Sequence, residues 1–203
     1  MIQQLRPALV LLVVFTLLTG LAYPLAITGI ARGLFARQAN GSLIERDGKV
    51  IGSSLIGQSF RSNRYFHGRP SATVDTDPND ATKTIAAPYN ASNSSGSNLG
   101  PTSKALIDRV APDSGKLHAE NPGVPIPVDL ITTSASGLDP DISPAAAQFQ
   151  AARVAKARRL QEDDVLRLIA QHTQYRLLGL FGEPVANVLE LNLALDAVAT
   201  NPR

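Results

Sequence analysis

The chain has 203 residues, 18% of them charged, a formal net charge of +2 and no cysteine. So small a charge, with no aromatic-interleaved basic patch, excludes a nucleic-acid surface. The missing cysteines exclude disulfides and a thiolate metal site, and they leave the redox compartment unread.

Residues 8–31, ALVLLVVFTLLTGLAYPLAITGIA, contain no charged residue, with Arg6 before them and Arg32 after. The mean hydropathy of +0.01 therefore averages two unlike parts. At about 1.5 Å per helical residue the run can cross a hydrocarbon core of about 30 Å. It exceeds a signal-peptide apolar region of about 7–15 residues, so it reads as a retained span. Gly29 and Ala31 nevertheless form a small-x-small pair that a signal peptidase could cut. The division expected is a short segment 1–7, a transmembrane helix 8–31 and one soluble domain 32–203. Pro7 suits a first helical turn, and Pro24 should bend the helix. Thr16, Thr19 and Gly20 are small enough to admit a neighbouring helix, or simply face lipid. Arg32, Arg37, Arg46 and Lys49 outnumber Arg6, so charge alone leans toward a cytoplasmic domain.

Beyond the span, Asp47-Gly48 between apolar-rich arms predicts a hairpin with strands near 42–46 and 49–55. Residues 57–103 are rich in Gly, Pro and small polar residues, with Tyr65, Phe66 and Tyr89 as isolated anchors. They predict an ordered but irregular surface without long regular elements, and long ordered loops often carry function. A short helix should follow Pro101-Thr102 to about Val110, then loop through the four prolines of 111–127. The β-branched run 127–134 reads as a strand. Ser143-Pro144 is a helix start, with a capping hydroxyl and a first-turn proline, and the helix should reach about residue 160. Glu162, Asp163 and Asp164 open a second helix to about residue 172. Gly179, Gly182 and Pro184 mark turns. Leu189, Leu191, Leu193 and Leu195 alternate with Glu190, Asn192 and Ala194, which gives a strand, with a helix as the alternative. The mixed order, without a βαβ rhythm, places the chain in the α+β class: one N-terminal transmembrane helix and a single mixed domain with one small sheet.

Catalytic motifs are missing. The run from Gly52 to Gly57 is followed by Gln58 and lacks the lysine and hydroxyl of a phosphate-binding loop. Asp80 to Thr84 faintly echoes the aspartyl-phosphate motif of P-type pumps without its order, and reads as loop. No nucleophile elbow occurs. His67, His118 and His172 are too scattered for a metal site, and Asp139 with Asp141 suits an Asp-Pro turn better than a cation site. Arg153, Lys156, Arg158 and Arg159 read as a solvated helix face. The chemistry is that of a membrane-anchored, non-catalytic domain.

Blocks spread from about Pro7 to Asp196 carry a resemblance. They are the single span, Gly57-Gln58-Ser59-Phe60, Tyr65 to Ala72, Tyr89-Asn90 and Ser95 to Thr102. They continue with Ser134 to Pro140, Ile142-Ser143-Pro144, Gln150 to Arg158 and Asn187 to Asn192. Together they resemble the C subunit of the Kdp-type high-affinity potassium-transporting ATPase of bacteria. Asp141, where a histidine is expected, and Ser103, where an asparagine is usual, depart from that pattern.

The resemblance implies a non-pumping accessory subunit, single-pass in the bacterial inner membrane with its domain in the periplasm. Its partners would be membrane lipid, a channel-like potassium-binding subunit and a P-type subunit that hydrolyses ATP. It would be needed for assembly and would act as a catalytic chaperone that raises the ATP affinity of the P-type subunit. No tightly bound cofactor and no metal are implied, and ATP would enter only in a transient ternary complex. An outward domain must act on ATP affinity through the span, as a coupling free energy. A domain on the ATP side could touch nucleotide directly, with Ser134, Ser136, Gly137 and Gln150 beside a helix start as candidates. The same residues suit an ordinary turn and cap. The alternative is a secreted or membrane-anchored periplasmic binding module.

Overall fold

A computed structural model describes residues 2–199, which fall into two compact units, one ending at Ser53 and the other beginning at Ser54. The first unit contains one 30-residue helix, α1 (Leu5–Leu34), none of whose most apolar stretch is buried among the described residues. α1 widens to a π-helical segment over Leu18–Ala22, just ahead of Pro24. Proline lacks an N–H and crowds the preceding turn, so the wider register absorbs the misfit without ending the helix. Thr19 donates from its hydroxyl to the Phe15 carbonyl at 2.7 Å within the same stretch.

A single helical turn, Ala36–Ala39, leads to the hairpin β1 (Leu43–Arg46) and β2 (Lys49–Ser53). Its turn residues Asp47 and Gly48 both have positive φ, 52° and 71°, as a two-residue turn of this hand requires.

The described residues of the second unit are built on four α-helices and a three-stranded antiparallel sheet. Its elements are β3 (Val74–Asp77), β4 (Asp80–Ala86), α2 (Lys104–Glu120), β5 (Asp141–Ile142), α3 (Pro144–Arg158), α4 (Glu162–Gln171), β6 (Thr173–Gln174), β7 (Val185–Asn187) and α5 (Val188–Ala199). The sheet order is β5-β7-β6, and β3 and β4 form a separate hairpin. Phe66, Phe149, Val154, Ile169, Leu191 and Leu195 lie in the core. α3 buries Ala146, Ala147, Ala151 and Ala155 along with Phe149 and Val154, so its inward face is broad and small-sided. That breadth is why no narrow apolar stripe is visible in its sequence.

The predicted start of α3 is present: Ser143 Oγ accepts the Ala146 N–H at 3.0 Å, and Pro144 occupies the first turn. α4 begins with Glu162, Asp163 and Asp164, as the charge pattern predicts.

Four expectations are corrected. Residues 74–86 form a hairpin inside the stretch expected to be irregular, and Asp80, Lys83 and Thr84 lie on its second strand. Thr76, Thr82, Thr84 and Ile85 supply β-branched side chains to it. α2 runs on through Pro112 to Glu120, at the cost of one backbone hydrogen bond, where loop was expected. Residues 128–130 form a 3-10 turn in place of a strand, because Asp129 turns back to accept both the backbone N–H and the hydroxyl of Ser143. Residues 188–199 are helix, the alternative reading, because Val188, Leu191, Asn192 and Leu195 share one buried face at helical spacing. Asn187 starts that helix by accepting the Glu190 N–H on its side-chain oxygen at 3.1 Å.

Candidate functional site

The segment around Tyr65-Phe66-His67 has no strand beside it, yet the N–H and carbonyl groups of Phe66 and His67 are all engaged by side chains. Asn192 on α5 accepts the Phe66 N–H at 2.8 Å and donates to the Phe66 carbonyl at 3.0 Å. Gln150 on α3 accepts the His67 N–H at 2.8 Å and donates to the His67 carbonyl at 3.1 Å. Two carboxamides thus treat two consecutive residues as a neighbouring strand would, and Phe66 is fully buried between the helices that carry them. Two arginines of α3 extend the clasp. Arg153 donates to the Asn63 and Tyr65 carbonyls and pairs with Glu120 at 2.8 Å. Arg158 donates to the Arg64 carbonyl at 2.6 Å and lies 4.7 Å from the Tyr65 ring centroid. The expectation of a solvated basic face therefore fails for Arg153 and Arg158, which are tied inward, and fits only Lys156 and Arg159. Burial, and then the Arg153 charge, push the His67 imidazole below its ordinary value.

A second cluster ties loops 68–73, 87–90 and 134–139 together. Ser71 Oγ donates to the Gly137 carbonyl at 2.8 Å and accepts the Tyr89 N–H at 3.0 Å. Thr73 Oγ1 donates to the Ala87 carbonyl at 2.6 Å. Arg69 pairs with Asp139 at 2.9 Å. The Tyr89 hydroxyl donates to the Arg69 carbonyl, and burial with the nearby Asp139 charge raises its pKa to about 12. Gly137 has φ +67°, and a Cβ there would meet Thr73 Cγ2 at 2.5 Å and the Ser95 carbonyl at 2.7 Å. Only glycine fits that position.

The nucleotide candidates fall into these two clusters. Ser134 accepts the Gly137 N–H, Ser136 accepts the Leu138 N–H, and Gly137 carries the tight turn. Gln150 lies in the other cluster, 2% exposed, with its oxygen and nitrogen already engaged by His67, Arg153 and Ala146. Three of the clefts formed by the described residues of this unit bear on the question. One of about 680 Å³ is lined by Asn63, Glu120, Arg153 and Lys156 among others. One of about 330 Å³ includes Arg69, Asp129, Asp139, Asp141 and Glu183. One of about 170 Å³ includes Gln58, Arg61, Arg69 and Tyr89. None of the three is lined by Ser134, Ser136, Gly137 or Gln150. Among the described residues no group of three or more His, Asp or Glu could hold a metal.

Comparison with known proteins extends over nearly the whole chain. Residues 5–197 match the family model described as KdpC: K+-transporting ATPase, c chain. The chain belongs to the KdpC family. A KdpC relative from Bradyrhizobium diazoefficiens, named as a potassium-transporting ATPase KdpC subunit, is 68% identical over 199 residues, covering 98% of this chain and 99% of its own. Relatives of the same name from Methylobacterium nodulans and Rhodopseudomonas palustris (strain BisB18) are 67% and 66% identical, covering 98% and 97% of this chain and 99% of each relative. The KdpC blocks quoted from the sequence include the clasp itself: Tyr65 to His67, Gln150 to Arg158, and Asn192. Sequence reasoning assigned no role to Asn192 or Asp196. The one signal available was a polar residue on the buried side of a leucine-rich helix, which a strand reading conceals.

Proposed function

We propose that this chain is the accessory, non-catalytic subunit of an ATP-driven potassium uptake pump, anchored once in the bacterial inner membrane by α1 with its folded unit on the periplasmic side. The observation that carries this reading is the 30-residue apolar helix Leu5–Leu34, none of whose most apolar stretch is buried among the described residues. Lipid covers such a helix on most sides, and the small residues at Thr16, Thr19 and Gly20 give a second helix close access. Its partners are a channel-like potassium-binding subunit and a P-type subunit that hydrolyses ATP.

The catalytic-chaperone role then works by coupling through assembly. Raising the ATP affinity of a distant subunit by 5–150-fold takes a coupling free energy of about 1–3 kcal/mol. Direct contact of ATP with Gln150 in a transient ternary complex is the competing route, and it requires the His67 clasp to open.

Exchanging residues 8–31 for an unrelated apolar span of equal length tests the role of α1. The exchanged chain should stay in the membrane but no longer co-purify with the other two subunits. Unchanged co-purification would show that the helix is only an anchor.

A further inference from the structure

The connection between β6 and β7 projects five large apolar side chains within seven residues. Tyr175, Leu177, Leu178, Leu180 and Phe181 are each 65–81% exposed. A contiguous exposed cluster of this kind marks an interaction site. Its shape is fixed. Leu177 N–H donates to the Phe181 carbonyl at 2.9 Å and Phe181 N–H to the Leu177 carbonyl at 3.0 Å. Leu178 and Gly179 turn the chain with φ of 55° and 73°. The knob stands on paired strands, Thr173 opposite Ala186 and Gln174 opposite Val185, and β7 is the central strand of its sheet. Arg176 is the one charged residue from 175 to 182, and it pairs with Glu183 at 2.6 Å.

We propose that this knob docks into an apolar socket on another subunit of the same ATPase. The proposal rests on the reading of the chain as an accessory subunit. Three properties favour a protein socket. The knob is already ordered, so docking costs little conformational entropy, and a shaped pocket gains from that order. Segments that bind bilayers present several Lys or Arg to the headgroups, whereas residues 175–182 carry Arg176 alone, with Glu183 beside it. A stable dimer of two copies needs about 20–30 residues a side, far more than this tip provides. The knob instead has the size of an anchor within a larger multi-subunit contact.

The chain has no cysteine, so Leu178→Cys gives a unique probe site on it. The tagged full-length variant is co-expressed with the other subunits, labelled with a benzophenone maleimide and irradiated, with the cysteine-free parent as background. The expected result is an adduct to another subunit of the ATPase, identified by mass spectrometry. An adduct to lipid or to a second copy of this chain overturns the proposal. So does no adduct above background while the tagged chain still recovers the other subunits, which leaves the accessory-subunit reading standing. Failure of the cysteine-free parent to recover them overturns both. As a second measurement, the double variant Leu178→Ser, Leu180→Ser should melt as the parent does but recover about tenfold less of the other subunits after detergent extraction. Equal recovery counts against the socket.

Discussion

Arg158, at the end of α3, donates to the Asp196 carboxylate on α5 at 2.8 Å, and its side chain is only 1% exposed. The same carboxylate accepts from the Tyr65 hydroxyl at 3.2 Å. Two helices and the loop that lies over them are thus joined at one ion pair. Removing the carboxylate leaves a guanidinium buried with fewer acceptors, so Asp196→Ala should cost about 3 kcal/mol. Asp196→Asn keeps an acceptor and should cost about 1 kcal/mol. Urea unfolding of the full-length chain separates the two, and equal losses would mean that the charge at Asp196 is irrelevant.

Gln150 distinguishes clasp from ligand site. Gln150→Ala leaves the His67 N–H and carbonyl without their side-chain partners, at a cost of about 1–3 kcal/mol for each group left unsatisfied. The expected outcome is a lower melting temperature without nucleotide present. ATP at millimolar concentration should leave the melting temperatures of parent and variant unmoved. Protection of the parent by ATP, abolished in the variant, would establish direct nucleotide contact.

The sequence displays the elements whose signals are local. Asp47-Gly48 and Ser143-Pro144 each state their geometry in two residues, and both are found where expected. Elements decided by distant partners are hidden. Asp129 curls residues 128–130 only because Ser143 is there to donate to it. Leu189 to Leu195 alternate by accident of Asn192, a polar residue that is buried because Phe66 needs it. Arg153 and Arg158 look like a solvated face until the loop at 63–67 lies over them. The family blocks lay in view throughout, but their purpose, two carboxamides grasping one loop, exists only in three dimensions.

Asp141 carries a pH dependence. Burial holds its carboxyl above the usual carboxylate range, the hydrogen bond from Asn187 opposes this, and the Asp139 and Glu190 charges add to it. Between the unfolded value, near 4, and the raised folded value, the folded chain binds more protons. Stability contributed by this group is therefore present below that window and declines as pH rises through it. Asp141→Asn keeps an oxygen for Asn187 and removes the charge. Its melting temperature should match the parent at low pH and exceed it at pH 7. Parallel profiles across the range would mean that Asp141 titrates normally.

The side of the membrane on which the folded unit lies decides between coupling and direct nucleotide contact. Arg32, Arg37, Arg46 and Lys49 argue for the cytoplasm, against the periplasmic placement proposed here. A single cysteine in this cysteine-free chain reports the answer. Ala91 is exposed, and a cysteine there displaces no side-chain hydrogen bond. Ala91→Cys should react with a membrane-impermeant maleimide in intact cells. Reaction only after the inner membrane is opened would put the unit on the ATP side. The basic residues after α1 would then have set the topology, and opening of the Gln150 clasp would become the route to follow.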